Sequence, residues 1–210
     1  MASYLVEIFE DEALIGKIKR KLPYFFQLAE LESSRAGKVG MQVGSLREKI
    51  IIALLIHKFG ENNVKVDIPI TEMEVDVELF GWPISIKTIS SRIFSGVKLI
   101  WTVDAQNARE FSENYYPRSD ILLVQIVWNG RGGFYYIPLE AQKKLFEEIR
   151  KERYIKLPKL GTNPRGVEIT KEALSQLVRD KETRVIEVDW QRPEIDYHPY
   201  QRWVDYWREE

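Results

Sequence analysis

Between residues 3 and 32, apolar side chains return every three or four positions (Leu5, Ile8, Phe9, Leu14, Ile15, Ile18), the spacing of helices with one face toward a core. Pro23 falls inside this stretch; a proline removes a helical hydrogen bond and crowds the preceding turn, so two helices are expected there. ESSRAGKVGMQVGS, residues 32–45, reads as a glycine- and serine-rich basic loop. Ser45, Leu46, Arg47 and Glu48 then match the S-x-x-E capping box. The run IIIALLIHKF that follows is apolar nearly all round, which predicts a buried helix ended by Gly60. From residue 64 the texture turns to β: VKVDIPI, EMEVDVELF, PISIKTI, KLIWTVD, DILLVQIVW and FYYIPL, punctuated by Gly, Asn and Pro, predict one mixed sheet. Helical spacing returns at 140–153 and 170–179, joined by the loop LPKLGTNPRGVE. The aromatic, proline-interrupted tail WQRPEIDYHPYQRWVDYW is expected to pack on the body or on a partner.

EVDVELFGWPISIKTI, residues 74–89, carries Glu74, Asp76 and Glu78 on alternate positions and a lone Lys87 among isoleucines. Like charges on one face repel, and an amine among apolar neighbours is costly without a partner. With Gly81 and Trp82 as a two-residue type II′ turn, Phe80 faces Pro83, Glu78 faces Ser85 and Asp76 faces Lys87. Val75, Val77, Leu79, Ile84 and Ile86 then share the opposite face. A carboxylate beside an amine at a sheet edge supplies two parts of a phosphodiester-cleaving centre: Asp76 to hold a divalent cation, Lys87 to stabilise developing charge or orient water. Glu48 is the candidate for a further acid, brought in by helix docking. Plainer readings stand beside these. Asp76 and Lys87 form a cross-strand ion pair worth ~0.2–1 kcal/mol, Glu48 is the capping acid, and Glu74 and Glu78 are either substitute ligands or solvated.

The composition narrows the chemistry further. At 210 residues, 44% apolar and 30% charged, the chain reads as a globular protein. No cysteine is present, so any metal must be held by oxygen or histidine, and two distant histidines, His57 and His198, do not make a histidine cage. The formal net charge of −1 gives no overall signature of nucleic-acid binding, which must rest on a local basic surface. The run Lys17, Lys19, Arg20 and Lys21 is either a solvated helix end or a phosphate contact. No stretch approaches a membrane span and the N-terminus is acidic, so a cytoplasmic location without membrane contact is expected.

The order of helix-borne Glu48, hairpin Asp76, then Ser85-Ile86-Lys87 resembles the PD-(D/E)XK nuclease core of type II restriction endonucleases, and among them the ThaI family. GSLREKIIIALLIHKFG, EVDVELFGWPISIKTIS, VKLIWTVD, SDILLVQIVWNGRGGFYYIPL and LGTNPRGVEITKEAL carry the resemblance, over roughly half of the chain. One departure stands out: Ser85 occupies the position of the acid two residues before the lysine, and no prolyl-aspartate pair precedes the hairpin. The resemblance implies an α/β, restriction-endonuclease-like mixed β-sheet flanked by helices. It further implies catalysis by Glu48, Asp76 and Lys87, with Mg2+ on Asp76, Glu48 and the Ile86 carbonyl. Water would attack phosphorus in line to leave 5′-phosphates. The implied enzyme is a homodimer on double-stranded DNA that cuts CGCG centrally to blunt ends, with a cognate methyltransferase in the same system.

Two loops are placed to read DNA. In the first, Met41 is expected to wedge into a base step, Gln42 to read a neighbouring base edge, and Arg35 or Lys38 to touch phosphate; packing of Met41 under its own loop is the alternative. In the second, Asn163 and Arg165 are placed for base or phosphate contact, with Lys156 and Lys159 on the backbone. The expected organisation is one nuclease domain over 1–210: N-terminal helices at 1–35, catalytic core at 36–140, and helices, reading loop and tail at 141–210. A structure-specific junction or repair nuclease on the same core, or a non-catalytic DNA-binding module, are the rival readings.

Overall fold

The computed structural model describes residues 4–35, 38–39, 42–69, 72, 74–156 and 166–209. In chain order the elements are α1 (Val6–Glu10), α2 (Glu12–Ser33), β1 (Ser34–Arg35), β2 (Lys38–Val39), α3 (Val43–Phe59), β3 (Val64–Lys65), β4 (Val77–Leu79), β5 (Trp82–Ile89), β6 (Val97–Ile100), α4 (Ala105–Asn114), β7 (Asp120–Gln125), β8 (Gly130–Ile137), α5 (Leu139–Ile149), α6 (Lys151–Tyr154), β9 (Ile155–Lys156), β10 (Val167–Ile169), α7 (Lys171–Leu177), β11 (Arg184–Trp190) and α8 (Gln201–Arg208).

Six strands form a mixed sheet in the order β11-β8-β7-β5-β4-β3, with β5 and β7 parallel and the other neighbours antiparallel. Its alternation divides the core in two. Val77, Leu79, Ile84, Ile86, Leu122 and Val124 pack under α1, α2 and α3. Ile89, Ile121, Leu123 and Ile137 face the side occupied by α4, α5 and α7. Strand β7, apolar without alternation, is buried on both faces, as a strand covered by helices on each side must be.

Several expectations are corrected. Pro23 does not split its helix: α2 runs through it, with Pro23 buried, and the break falls at Asp11, whose carboxylate caps α2 by accepting from Leu14 N at 2.9 Å. The apolar face of Ile18, Leu22 and Phe26 against the core offsets the bond that Pro23 cannot make. Ser45 is not a cap, because α3 begins at Val43 with Gln42 before it, so Glu48 lies in the second turn and is not a capping acid. Nor is α3 buried all round; among its residues Arg47, Ile51 and Leu55 are buried. KLIWTVD belongs to a separate three-stranded sheet, β6-β10-β9, rather than to the main one. α4, capped by Asp104 on Gln106 N and Asn107 N, and β11, whose Ile186, Val188 and Trp190 alternate inward, were not among the expected elements. Among the described residues no helix is long and apolar enough to cross a membrane.

The hairpin turn also sits one residue earlier than expected. Leu79 pairs with Trp82, Glu78 with Pro83 and Val77 with Ile84, so Phe80 and Gly81 are the central residues, with φ 50° and 79°. Positive φ at both positions is the type I′ geometry that matches strand twist. A phenylalanine in the left-handed region is strained. It is held there by Tyr4 and Phe59, whose ring centroids lie 4.2 and 5.9 Å from its own, and by its N–H on Asn63 O at 2.9 Å. Each partner shifts by two residues, so the faces are unchanged, but Asp76 now lies level with Ser85.

Candidate active site

Strand β4 pairs with β5 only as far as Val77 and Ile84; beyond that point β5 has β7 alone as its regular neighbour, and a cleft opens. Lys87 therefore sits on an interior strand, not at a sheet edge. Asp76 N donates to Ile84 O at 2.9 Å, which fixes the carboxylate beside the departing strand. Its Oδ2 accepts three bonds: from Ile86 N at 2.5 Å, Lys87 Nζ at 3.2 Å and Ser85 Oγ at 3.3 Å. The side chains of Lys87 and Asp76 are 12% and 19% exposed, so this pair is more than a solvated surface contact. With the donors gathered on Oδ2, Oδ1 is the oxygen that a cation can take.

Glu48, half-buried on α3, lines the same cleft of about 670 Å³ with Asp76, Ile86 and Lys87. Burial, then the negative charge of Asp76, push its carboxyl above the ordinary range, while Lys87 pulls the other way. A carboxyl that burial and a neighbouring carboxylate both disfavour as an ion is one that a bound cation would help to ionise. The donors are hard oxygens, which fits Mg2+ or a similar divalent ion; among the described residues no group of three His, Cys, Asp or Glu side chains forms a fuller cage. Ser85, fully buried, does not replace the missing acid as a ligand and instead donates to Asp76.

Glu74 is not solvated, as one reading had it. It is 1% exposed, lies 3.5 Å from both Tyr115 Oη and Arg118 Nε, and burial pushes its carboxyl up to about 7 despite Arg118 and Lys87. The acid-every-second-residue pattern marked it, but nothing in that pattern separates a buried acid from a wet one. Glu78, by contrast, pairs with Lys65 at 3.2 Å on the surface. Lys98 and Trp101 also line the cleft, with the Lys98 ammonium 5.6 Å from the Trp101 ring centroid and Trp101 63% exposed. Placing KLIWTVD in the main sheet hid this rim.

Among the residues expected to touch DNA, Arg35 and Lys38 face each other across the β1–β2 hairpin, Lys38 exposed, and exposed Gln42 precedes α3. Lys156 is exposed and paired with Glu168 at 3.4 Å. Met41, Lys159, Asn163 and Arg165 lie outside the described residues, as does the Arg35 side chain.

The chain matches the family described as restriction endonuclease ThaI over residues 8–209. A solved structure described as a restriction endonuclease in complex with substrate DNA is similar to it, with 59% identity and a TM-score of 0.91, covering 99% of this chain and 100% of that one. No curated protein matches. A match across nearly the whole length, on a fold that gathers Glu48, Asp76 and Lys87 into one cleft, settles the family: the chain belongs to the ThaI restriction endonucleases, type II site-specific deoxyribonucleases.

Proposed function

We propose that the chain hydrolyses both strands of duplex DNA at a short palindrome, CGCG, cutting centrally to leave blunt ends with 5′-phosphates, with Mg2+ as cofactor and as a homodimer. One observation carries the hydrolytic part of this reading, Asp76 Oδ2 locked by Lys87, Ile86 N and Ser85 while Glu48 enters the same cleft from α3; the CGCG site, the blunt ends and the homodimer rest on the family resemblance. When bound, a divalent cation supplies Lewis acidity to the phosphate and eases ionisation of an attacking water. Glu48, Asp76 and the Ile86 carbonyl would hold it. Lys87 orients the water and offsets charge developing on the phosphate oxygens.

Two-fold symmetry matches the palindrome, each subunit cutting one strand. Lys38 and Arg35 are assigned to phosphate, Gln42 to a base edge and Met41 to a base step beside it; Asn163 and Arg165 read the second contact region, flanked by Lys156 and Lys159 on the backbone. A methyltransferase that protects the same sequence is the expected companion. Digestion of a plasmid with and without Mg2+, followed by sequencing of the ends, tests the reading. Blunt central cuts at CGCG alone are expected, and cleavage of branched DNA in preference to linear duplex would contradict it.

A further inference from the structure

Glu30, 7% exposed in the last turns of α2, gathers three donors: Arg47 Nη2 at 2.6 Å and Trp128 Nε1 at 2.8 Å on Oε1, and Arg192 Nη2 at 2.9 Å on Oε2. Arg47, 6% exposed, spends its other terminal nitrogen on Ser90 Oγ at 3.1 Å. A buried ion pair is held by the further bonds its partners make, and here both terminal nitrogens of the guanidinium and both carboxylate oxygens are engaged, while the buried Arg47 Nε has no partner. The Arg192 guanidinium also stacks on the Trp128 ring, 4.2 Å from its centroid, so the tail is tied to the same knot.

The position of this network in the chain gives it a consequence. Glu30 lies near the end of α2 and Arg47 near the start of α3, so their ion pair ties one helix to the other. Arg47 is followed at once by Glu48, and Ser90 lies three residues beyond Lys87 at the end of β5. One guanidinium thus joins the helix that carries Glu48 to the strand that carries Ile86 and Lys87. We propose, resting on the cation reading above, that Glu30, Arg47 and Ser90 are positioning residues. They form a clasp that sets the gap between Glu48 and Asp76. Magnesium-type sites tolerate little error in ligand distance, and outer-shell partners of a metal ligand are typically worth about 10–100-fold in affinity.

The test uses the full-length protein, a CGCG duplex, and calcium as a divalent probe titrated calorimetrically into protein alone and into the protein–duplex complex. Two variants are compared, Glu30→Gln, which keeps the shape of the hub, and Ser90→Ala, a small change at an exposed position that keeps the fold if the first variant does not. Both are expected to weaken calcium binding in the complex about 10-fold. Affinity for the duplex in EDTA should stay within about 2-fold. Wild-type calcium affinity in both folded variants, whatever their melting temperatures, overturns the clasp and leaves a structural knot. A wild-type complex that takes up no calcium overturns the cation reading and the clasp together.

Discussion

Asp76 gives one oxygen to its neighbours and keeps the other, so its substitution separates binding from chemistry. Asp76→Asn still accepts from Ile86 N on one oxygen but loses the charge that a cation needs. Cleavage in a single turnover should fall about 10³-fold or more, equivalent to about 4 kcal/mol of transition-state stabilisation. Cognate affinity measured without metal should hold. Glu74 makes a prediction in pH. Its folded-state carboxyl is raised to about 7 from 4.5, chiefly by burial, so the native state holds a proton that the unfolded chain releases. Its contribution to stability is fully present below 4.5 and lost as pH rises through about 7. In EDTA, denaturant melts at pH 5 and pH 8 should show wild type losing up to about 3 kcal/mol more than Glu74→Gln over that interval, and equal losses would contradict the assignment. At this scale the sequence was partly legible. Alternating acids and a lone lysine marked Asp76 and Lys87, and a place near the start of a predicted helix that could dock on the sheet named Glu48. Burial of Glu74, the bond of Ser85 to Asp76 and the knot around Glu30 join residues distant in the chain, and no local pattern encodes them.

At the scale of elements, the hairpin shows what patterning fixes and what it leaves free. Alternation placed Asp76 and Lys87 on one face and Val77, Leu79, Ile84 and Ile86 on the other, and a slip of two in pairing preserves that assignment. Turn position depended on Phe80, whose positive φ is sustained by Tyr4 and Phe59 from remote parts of the chain. Gly81, at φ 79°, has open space where a Cβ would stand, so Gly81→Ala carries a conformational cost alone, about 1–2 kcal/mol. Thermal melting should drop by about 2–8 °C with cleavage unchanged once folded; lost cleavage in the folded variant would mean the turn positions Asp76 more directly than this. The missed elements have similar causes. β11 alternates visibly, whereas β6 joins a second sheet through pairing with β10, a partner lying far along the chain. Helix α2 survives Pro23 because tertiary burial outweighs the local penalty, which a sequence window does not contain.

For the molecule as a whole, the chain leaves α8 without a buried residue, with Trp203, Tyr206 and Trp207 at 52%, 58% and 90% exposure. Of the two expectations for the tail, packing of this helix on the body is therefore not met, although the segment before it is anchored by Arg192 on Glu30 and by Gln27 on the Pro193 carbonyl. An enzyme that cuts both strands of a palindrome by two-fold symmetry should sediment with CGCG duplex as two chains of 24.7 kDa each on one duplex. One chain per duplex would contradict the homodimer. The near-zero net charge of −1 masks the local chemistry of the cleft, which is why composition alone did not point to DNA. In the proposed site Glu48 and Asp76 share one divalent ion beside the scissile phosphate, and Lys87 faces that phosphate. Anomalous scattering from manganese in a crystal of the protein with its cognate duplex measures this directly. A peak is expected within about 2.0–2.3 Å of a carboxylate oxygen from each of Glu48 and Asp76, with Lys87 Nζ facing the phosphate. A peak that either carboxylate does not touch would contradict it.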